Sequence, residues 1–291
     1  MIYTIYSESL SAEINSFGAE LTSLTDLSSG IKYICPEANE NWENIAPILF
    51  PNTGLIKNGK TNIAGQEYSY IKHGFARQSD FELNSQSSDS VTFSLESNED
   101  TKRIYPFEFS LSVTYTLIGR QLTVKTDIRN TGTNEMYFSL GFHPGFTCPI
   151  DPEETAEDYA IVFPAKAYAS RLNLETGLVA SISENFLDGI TELPLKEKMF
   201  DNGSFSMTRL NFSSVKLVSK KTGRFVQLDF ADFPNLVLWA PRYRPISVIC
   251  MEPWFGQPDR LSGEPDISQK PFTIELPSGE SRTLSFSVTC N

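Results

Sequence analysis

The chain of 291 residues holds only two histidines, His73 and His143. His73 opens the run His73-Gly74-Phe75-Ala76-Arg77. His143 lies in Gly141-Phe142-His143-Pro144-Gly145-Phe146. Each has glycine close by, at the edge of strand-like sequence, where a backbone without Cβ can approach a ligand. Imidazole titrates near cellular pH, so a histidine presented at such an edge suits proton transfer. An ordinary core or surface histidine is the plain alternative. The third candidate is Glu252, which ends the apolar run Ile246-Ser247-Val248-Ile249-Cys250-Met251. Burial there would disfavour the carboxylate, raise its pKa and make it a better base near neutrality. A strand-end glutamate held by backbone amides, or by Arg242 or Arg244, is the alternative. Trp254 follows closely, and its indole could stack on the C–H face of a pyranose. Trp42 and Trp239 are open to a core role.

Other chemistries lack their spacing. Two histidines about 70 residues apart could meet at a metal with a carboxylate. No HxH, HxxxH or Cys–His cluster supports that. No Gly-x-Ser-x-Gly elbow marks a serine hydrolase, and no GxGxxG or Walker loop marks nucleotide chemistry. Cys35, Cys148, Cys250 and Cys290 fit neither a disulfide framework nor CxxC metal spacing. They read as reduced, mostly buried thiols of a cytoplasmic protein. Asp and Glu outnumber Lys and Arg by 36 to 24, a net charge of -12. Such a surface repels phosphate backbones and anionic lipid, so nucleic acid and membranes are poor partners. The N-terminus has neither a basic nor an apolar leader region. No stretch approaches the roughly 20 apolar residues of a membrane span.

The elements that must position these residues are strands. Phe107, Phe109, Leu111, Val113, Tyr115 and Leu117 alternate along one face. Ile118-Gly119-Arg120 reads as a turn, and Leu122, Val124, Thr126 and Ile128 resume the period. That is a hairpin signal. Val91, Phe93 and Leu95 repeat it upstream. Val226, Leu228 and Phe230 follow the turn Lys220-Lys221-Thr222-Gly223, and Leu284, Phe286 and Val288 close the chain. Period-two alternation means one buried and one wet face per strand. Helical periodicity is scarce, and 17 Gly and 17 Pro are spread throughout. The expected fold is all-β, a large antiparallel sandwich forming one domain over 1–291. Asn84 to Ser90 reads as a hairpin loop and Asp151 to Asp158 as a surface loop.

Four motifs in order carry a resemblance. They are Leu49-Phe50-Pro51-Asn52-Thr53-Gly54, then His73 to Arg77, then Gly141 to Phe146, then Cys250-Met251-Glu252-Pro253-Trp254. With the closing Leu276-Pro277-Ser278-Gly279-Glu280, the chain resembles the aldose 1-epimerase family over nearly its whole length, and its LacX-like branch in particular. The resemblance implies a galactose mutarotase-like β-supersandwich with a shallow sugar cleft. It implies an isomerase that interconverts the anomers of a free aldohexose such as galactose or glucose, needs no cofactor, and works as a monomer or homodimer. In it, His143 matches the general acid, Glu252 the general base, and His73 the histidine that binds the ring side of the sugar. Arg77 and Asn52 match positions near substrate hydroxyls. Relatives carry a sugar-binding aspartate in a segment like Phe-x-x-Asp-Ala. Here that segment reads Phe200-Asp201-Asn202-Gly203, with glycine in the aligned place and Asp201 as the substitute. A hexose-6-phosphate 1-epimerase and a non-catalytic carbohydrate-binding protein of this fold are the alternatives.

Overall fold

The structure, a computed structural model, describes residues 1–34, 44–263 and 266–291. The alternating segments form antiparallel strands. Phe109–Ile118 and Gln121–Asn130 pair around Gly119 and Arg120, with Gln121 across from Ile118. Gly119 takes φ +56, the left-handed conformation a two-residue hairpin turn demands. Phe109, Leu111, Val113, Tyr115 and Leu117 bury one face, and Leu122, Val124, Thr126 and Ile128 continue it. Phe107 falls just before the strand and is partly buried. Val91, Phe93, Leu95, Val226, Leu228, Leu284, Phe286 and Val288 are buried as their alternation predicts. Burying each large aliphatic side chain is worth roughly 1.5–3 kcal/mol. A one-residue slip would turn such a face outward, so the register is strongly fixed.

These strands join a 15-stranded antiparallel sheet. One end holds Ile48–Leu49, Leu140–Phe142, Val248–Phe255 and Asn235–Trp239; the other holds Phe109–Ile118, Ser90–Glu96 and Glu82–Gln86. A three-stranded sheet, Ile2–Tyr6, Leu10–Asn15 and Glu20–Asp26, packs against it. The Tyr115 hydroxyl donates to the Ala19 carbonyl at 2.7 Å, and the Tyr3 and Phe93 rings meet at 5.2 Å. One apolar cluster draws on residues from Ile5 to Cys290. Among the described residues the one α-helix is Glu99–Ile104, capped by the Asn98 side chain, and no helix is long and apolar enough to cross a membrane. The antiparallel β-sandwich expected from the alternation is therefore the observed architecture.

Two of the expected loops are more ordered than their sequences imply. Only Ser87 to Asp89 turn the hairpin expected at Asn84 to Ser90; Asn84 sits at a bulge and accepts from Ser94 Oγ at 2.9 Å. The segment after Asp151 runs as turns, yet Glu154 is buried and accepts from Ser219 Oγ at 2.6 Å. Cys148, Cys250 and Cys290 are buried thiols. Cys35 and Trp42 lie outside the described residues.

Candidate active site

The buried strand Val248–Phe255 forms the floor of the site. On one side it pairs with Asn235–Trp239, which sets Val237 across from Glu252. On the other side the partner strand is interrupted. Leu140 and Gly141 pair with Phe255 and Trp254, and Gly145 and Phe146 pair with Cys250 and Ile249. One register runs through both halves, so His143 stands directly across from Glu252. Directly opposed residues on one face lie close enough to touch. Here His143 Nε2 comes within 3.3 Å of Glu252 Oε2, an approach not aligned as a full hydrogen bond. The interruption is tied down by the Pro47 carbonyl, which accepts from the His143 N–H at 3.1 Å, and by the Ile45 carbonyl, which accepts from Gly145.

His73 arrives from a strained turn. It has φ +68 and Gly74 has φ +72. A Cβ on Gly74 would lie 2.1 Å from the Phe50 carbonyl oxygen, so only glycine fits. This turn clamps His73 to Gly54 twice. The Gly54 N–H donates to His73 Nδ1 at 3.1 Å, and the Gly54 carbonyl accepts from the His73 N–H at 3.0 Å. The His73 ring then meets His143 at 5.7 Å and Trp254 at 5.5 Å, both edge-on. Gly74 and Gly141 thus serve protein contacts rather than ligand approach. Gly74 clears Phe50, and Gly141 clears the Trp254 indole, whose Cδ1 would sit 2.8 Å from an added Cβ.

Around these three groups lies a cleft of about 260 Å3. Its lining includes Lys72, Arg77, Ser204, Ser206, Trp239 and Trp254. Arg77 and Trp254 therefore line the same cleft as the three central residues, and Trp239 faces the cleft rather than the core. Two expected substrate contacts do not reach it. Asn52 is buried behind the His73 turn, where its side-chain amide donates to the Gly54 and Ile71 carbonyls. Asp201 lies in a separate depression and accepts from the Tyr243 N–H at 2.9 Å. Gly203, in the aligned aspartate's place, has φ +109, and a Cβ there would meet Arg242 Nη2 at 2.9 Å. A guanidinium occupies the space a side chain at 203 would need. Ser204 and Ser206, 3.0 Å apart through their hydroxyls, are the polar groups this segment brings to the cleft. Their spacing of two residues at the start of the strand Phe205–Thr208 was the available signal. Lys72 stands next to His73 in the sequence, but no local pattern marks it as part of the site.

Burial dominates the electrostatics. Glu252 is 1% exposed, and desolvation pushes its carboxyl well above the ordinary range. The Lys72 ammonium and, less strongly, the Trp254 indole pull it back down. Desolvation lowers His143 to about 3, with Lys72 and Arg77 adding to the effect. Desolvation also holds His73 well below its usual value, followed by the fields of His143, Lys72 and Arg77. Both rings rest neutral. Lys72 remains solvent-accessible, so its field is partly screened. An acid–base pair needs one proton between its two members, so activity that depends on His143 and Glu252 should fall as pH rises through the raised Glu252 pKa. Replacing Lys72 by Met removes the cation that favours the carboxylate. The alkaline limb of kcat/KM should then move to higher pH. An unmoved or lowered limb in that variant would show that Lys72 does not tune the base.

His143, Cys250 and Glu252 each bring one ligand atom within 4.8 Å of the others, the one such trio among the described residues. Cys250 and Glu252 share a strand face two residues apart, and His143 crosses to them. No local spacing announces that set, which could hold a thiophilic divalent cation.

Comparison with known proteins identifies the family. The family described as aldose 1-epimerase matches residues 1–289. The plasmid-encoded protein LacX of Lactococcus lactis is 31% identical, with 99% of each chain covered. A galactose mutarotase related enzyme from Lactobacillus acidophilus superposes with a TM-score of 0.93 at 28% identity, over 100% of this chain and 97% of that one. A galactose mutarotase-like protein from Lactobacillus casei gives the same TM-score and identity, with 100% of both chains covered. The chain belongs to the aldose 1-epimerase family.

Proposed function

We propose that the chain, acting as one unit over residues 1–291, is a mutarotase that interconverts the α and β anomers of a free aldohexose such as galactose or glucose. The observation that carries this reading is the facing pair, His143 Nε2 and Glu252 Oε2 at 3.3 Å, on the floor of a cleft with His73 beside it. Ring opening needs a proton taken from O1 and another given to O5. Glu252 takes the first, His143 gives the second, and the C1–O5 bond breaks to leave an aldehyde at C1. Rotation about C1–C2 presents the other carbonyl face. O5 then returns to C1, His143 recovers a proton from O5, and Glu252 gives one to the new O1. Protons balance, nothing is oxidised and no group leaves, so this route needs no cofactor. Each well-placed group is worth roughly 10²–10⁴-fold.

The closed sugar reacts with carboxylate and imidazolium, and the open sugar with their neutral forms. Burial favours the neutral pair; the Lys72 cation favours the carboxylate. The two forms are thereby brought closer in free energy than either residue alone would allow. Trp239 and Trp254 supply aromatic faces for the sugar's C–H surfaces. Among the described residues lining the cleft, Glu252 is the only carboxylate. That argues against a glycoside hydrolase, which needs two across the scissile bond.

A second reading, a hexose-6-phosphate 1-epimerase, is favoured by Lys72, Arg77 and Arg242, which are near enough for Arg77 and Arg242 to depress the Lys72 pKa. Two of these cations already have acidic neighbours. Lys72 faces Glu252, and Arg77 faces Glu20. Free aldohexoses are therefore expected to be the better substrates. Polarimetry on a panel of free and 6-phosphorylated hexoses tests both readings. A much higher kcat/KM on a 6-phosphate would select the second, and no acceleration of any sugar would leave a non-catalytic sugar-binding protein.

A further inference from the structure

The wall that carries His73 is pinned from behind by a buried ion pair that no proton transfer uses. Lys270 Nζ lies 2.8 Å from Asp259 Oδ1, with side chains 6% and 4% exposed. Such a pair is weak evidence for stability, because apolar side chains of similar shape often serve as well. Its effect lies in what it holds. Asp259 Oδ2 accepts the Lys57 N–H at 2.9 Å. The Asp259 N–H donates to the Leu55 carbonyl at 3.0 Å, and its own carbonyl accepts the Val179 N–H at 2.8 Å. Three chain segments thus converge on one residue. Two of them, together with the segment of Asp259 itself, supply Gly54, Leu55, Gly177 and Pro258 to the cleft wall. Pro258 presses on Gly54 so closely that an added Cβ there would fall 2.5 Å from the proline Cγ. Gly54 in turn donates its N–H to His73 Nδ1.

We propose that Asp259 and Lys270 are positioning residues that lock His73 into a single tautomer, through Pro258 and Gly54. A donor fixed at Nδ1 makes that nitrogen an acceptor and leaves the ring proton on Nε2, on the edge away from the turn. His73 then meets the sugar as a neutral hydrogen-bond donor of fixed direction, ready to bind an oxygen without reorganising. Its two-point clamp to Gly54 holds only while the wall behind Gly54 is held.

The kinetic arm of the test rests on the mutarotase reading; the spectroscopic arm does not. With only two histidines in the chain, ring ¹⁵N signals can be assigned with a His143→Asn variant. The wild-type protein should show His73 in the Nε2–H tautomer alone. The double variant Asp259→Leu/Lys270→Met removes both charges while keeping apolar bulk. It should show mixed His73 tautomers, and KM for the sugar should rise about tenfold with kcat little changed. Pro258→Ala leaves the ion pair intact and should shift both readouts in the same direction, which decides the matter if the double variant does not fold. Folded variants with wild-type His73 signals and KM would overturn the proposal and leave a merely structural pair. Unchanged tautomers with no mutarotase activity in the wild type would sink both readings. Mixed tautomers without activity would sink only the mutarotase reading.

Discussion

Glu252→Gln is expected to lower kcat by about 10²-fold or more, with a smaller effect on sugar binding. Gln keeps the shape and can still hydrogen-bond, but it cannot take a proton from O1. The side chain is 1% exposed on a strand whose neighbours are fixed in register on both sides. The variant should therefore fold, and loss of rate should reflect chemistry. The wild-type kcat/KM profile should show an alkaline limb set by the raised Glu252 pKa, because above it the pair has lost the proton that O5 must receive. Any residual activity of the variant should lack that limb. Near-wild-type turnover of a folded Glu252→Gln protein would place the base elsewhere. Asp201, the substitute suggested by sequence, lies in another depression and is an implausible successor.

His143→Asn should cost a similar factor, about 10²-fold or more in kcat. Asn keeps a polar group near the Glu252 carboxyl but removes the proton that O5 must receive. Because His143 and Glu252 act on one bond at the same time, the double variant should be little slower than either single one. Additive losses would mean that the two residues serve separate steps. A His73 variant should behave differently, raising KM as well as lowering kcat, because that ring holds the sugar. Steady-state kinetics on the three single variants and the double variant check this pattern.

Sequence alone carried the strands and the three central residues. Alternation such as Val91, Phe93, Leu95 sets which face is buried, and local chain geometry is enough to show it. Glu252 was legible because an apolar run precedes it. What could not be read was distance. His143 faces Glu252 only because the runs on either side of Pro144 pair with one strand in a single register. Long-range pairing leaves no mark in either segment. Asn52 and Asp201 failed for the same reason. Each has the right type for a hydroxyl ligand, but their backbones turn them to other partners. The bracing role of Asp259 was likewise hidden, since Lys57, Val179 and Lys270 meet it from distant parts of the chain.

The most direct test is magnetisation exchange between the H1 signals of α and β anomers of a free aldohexose at equilibrium. The measurement needs no coupled enzyme and sees only the interconversion itself. The account predicts exchange well above the spontaneous rate, proportional to protein concentration and lost in the Glu252→Gln/His143→Asn double variant. Exchange at the spontaneous rate for every free and 6-phosphorylated aldose tried, with folded wild-type protein, would contradict it.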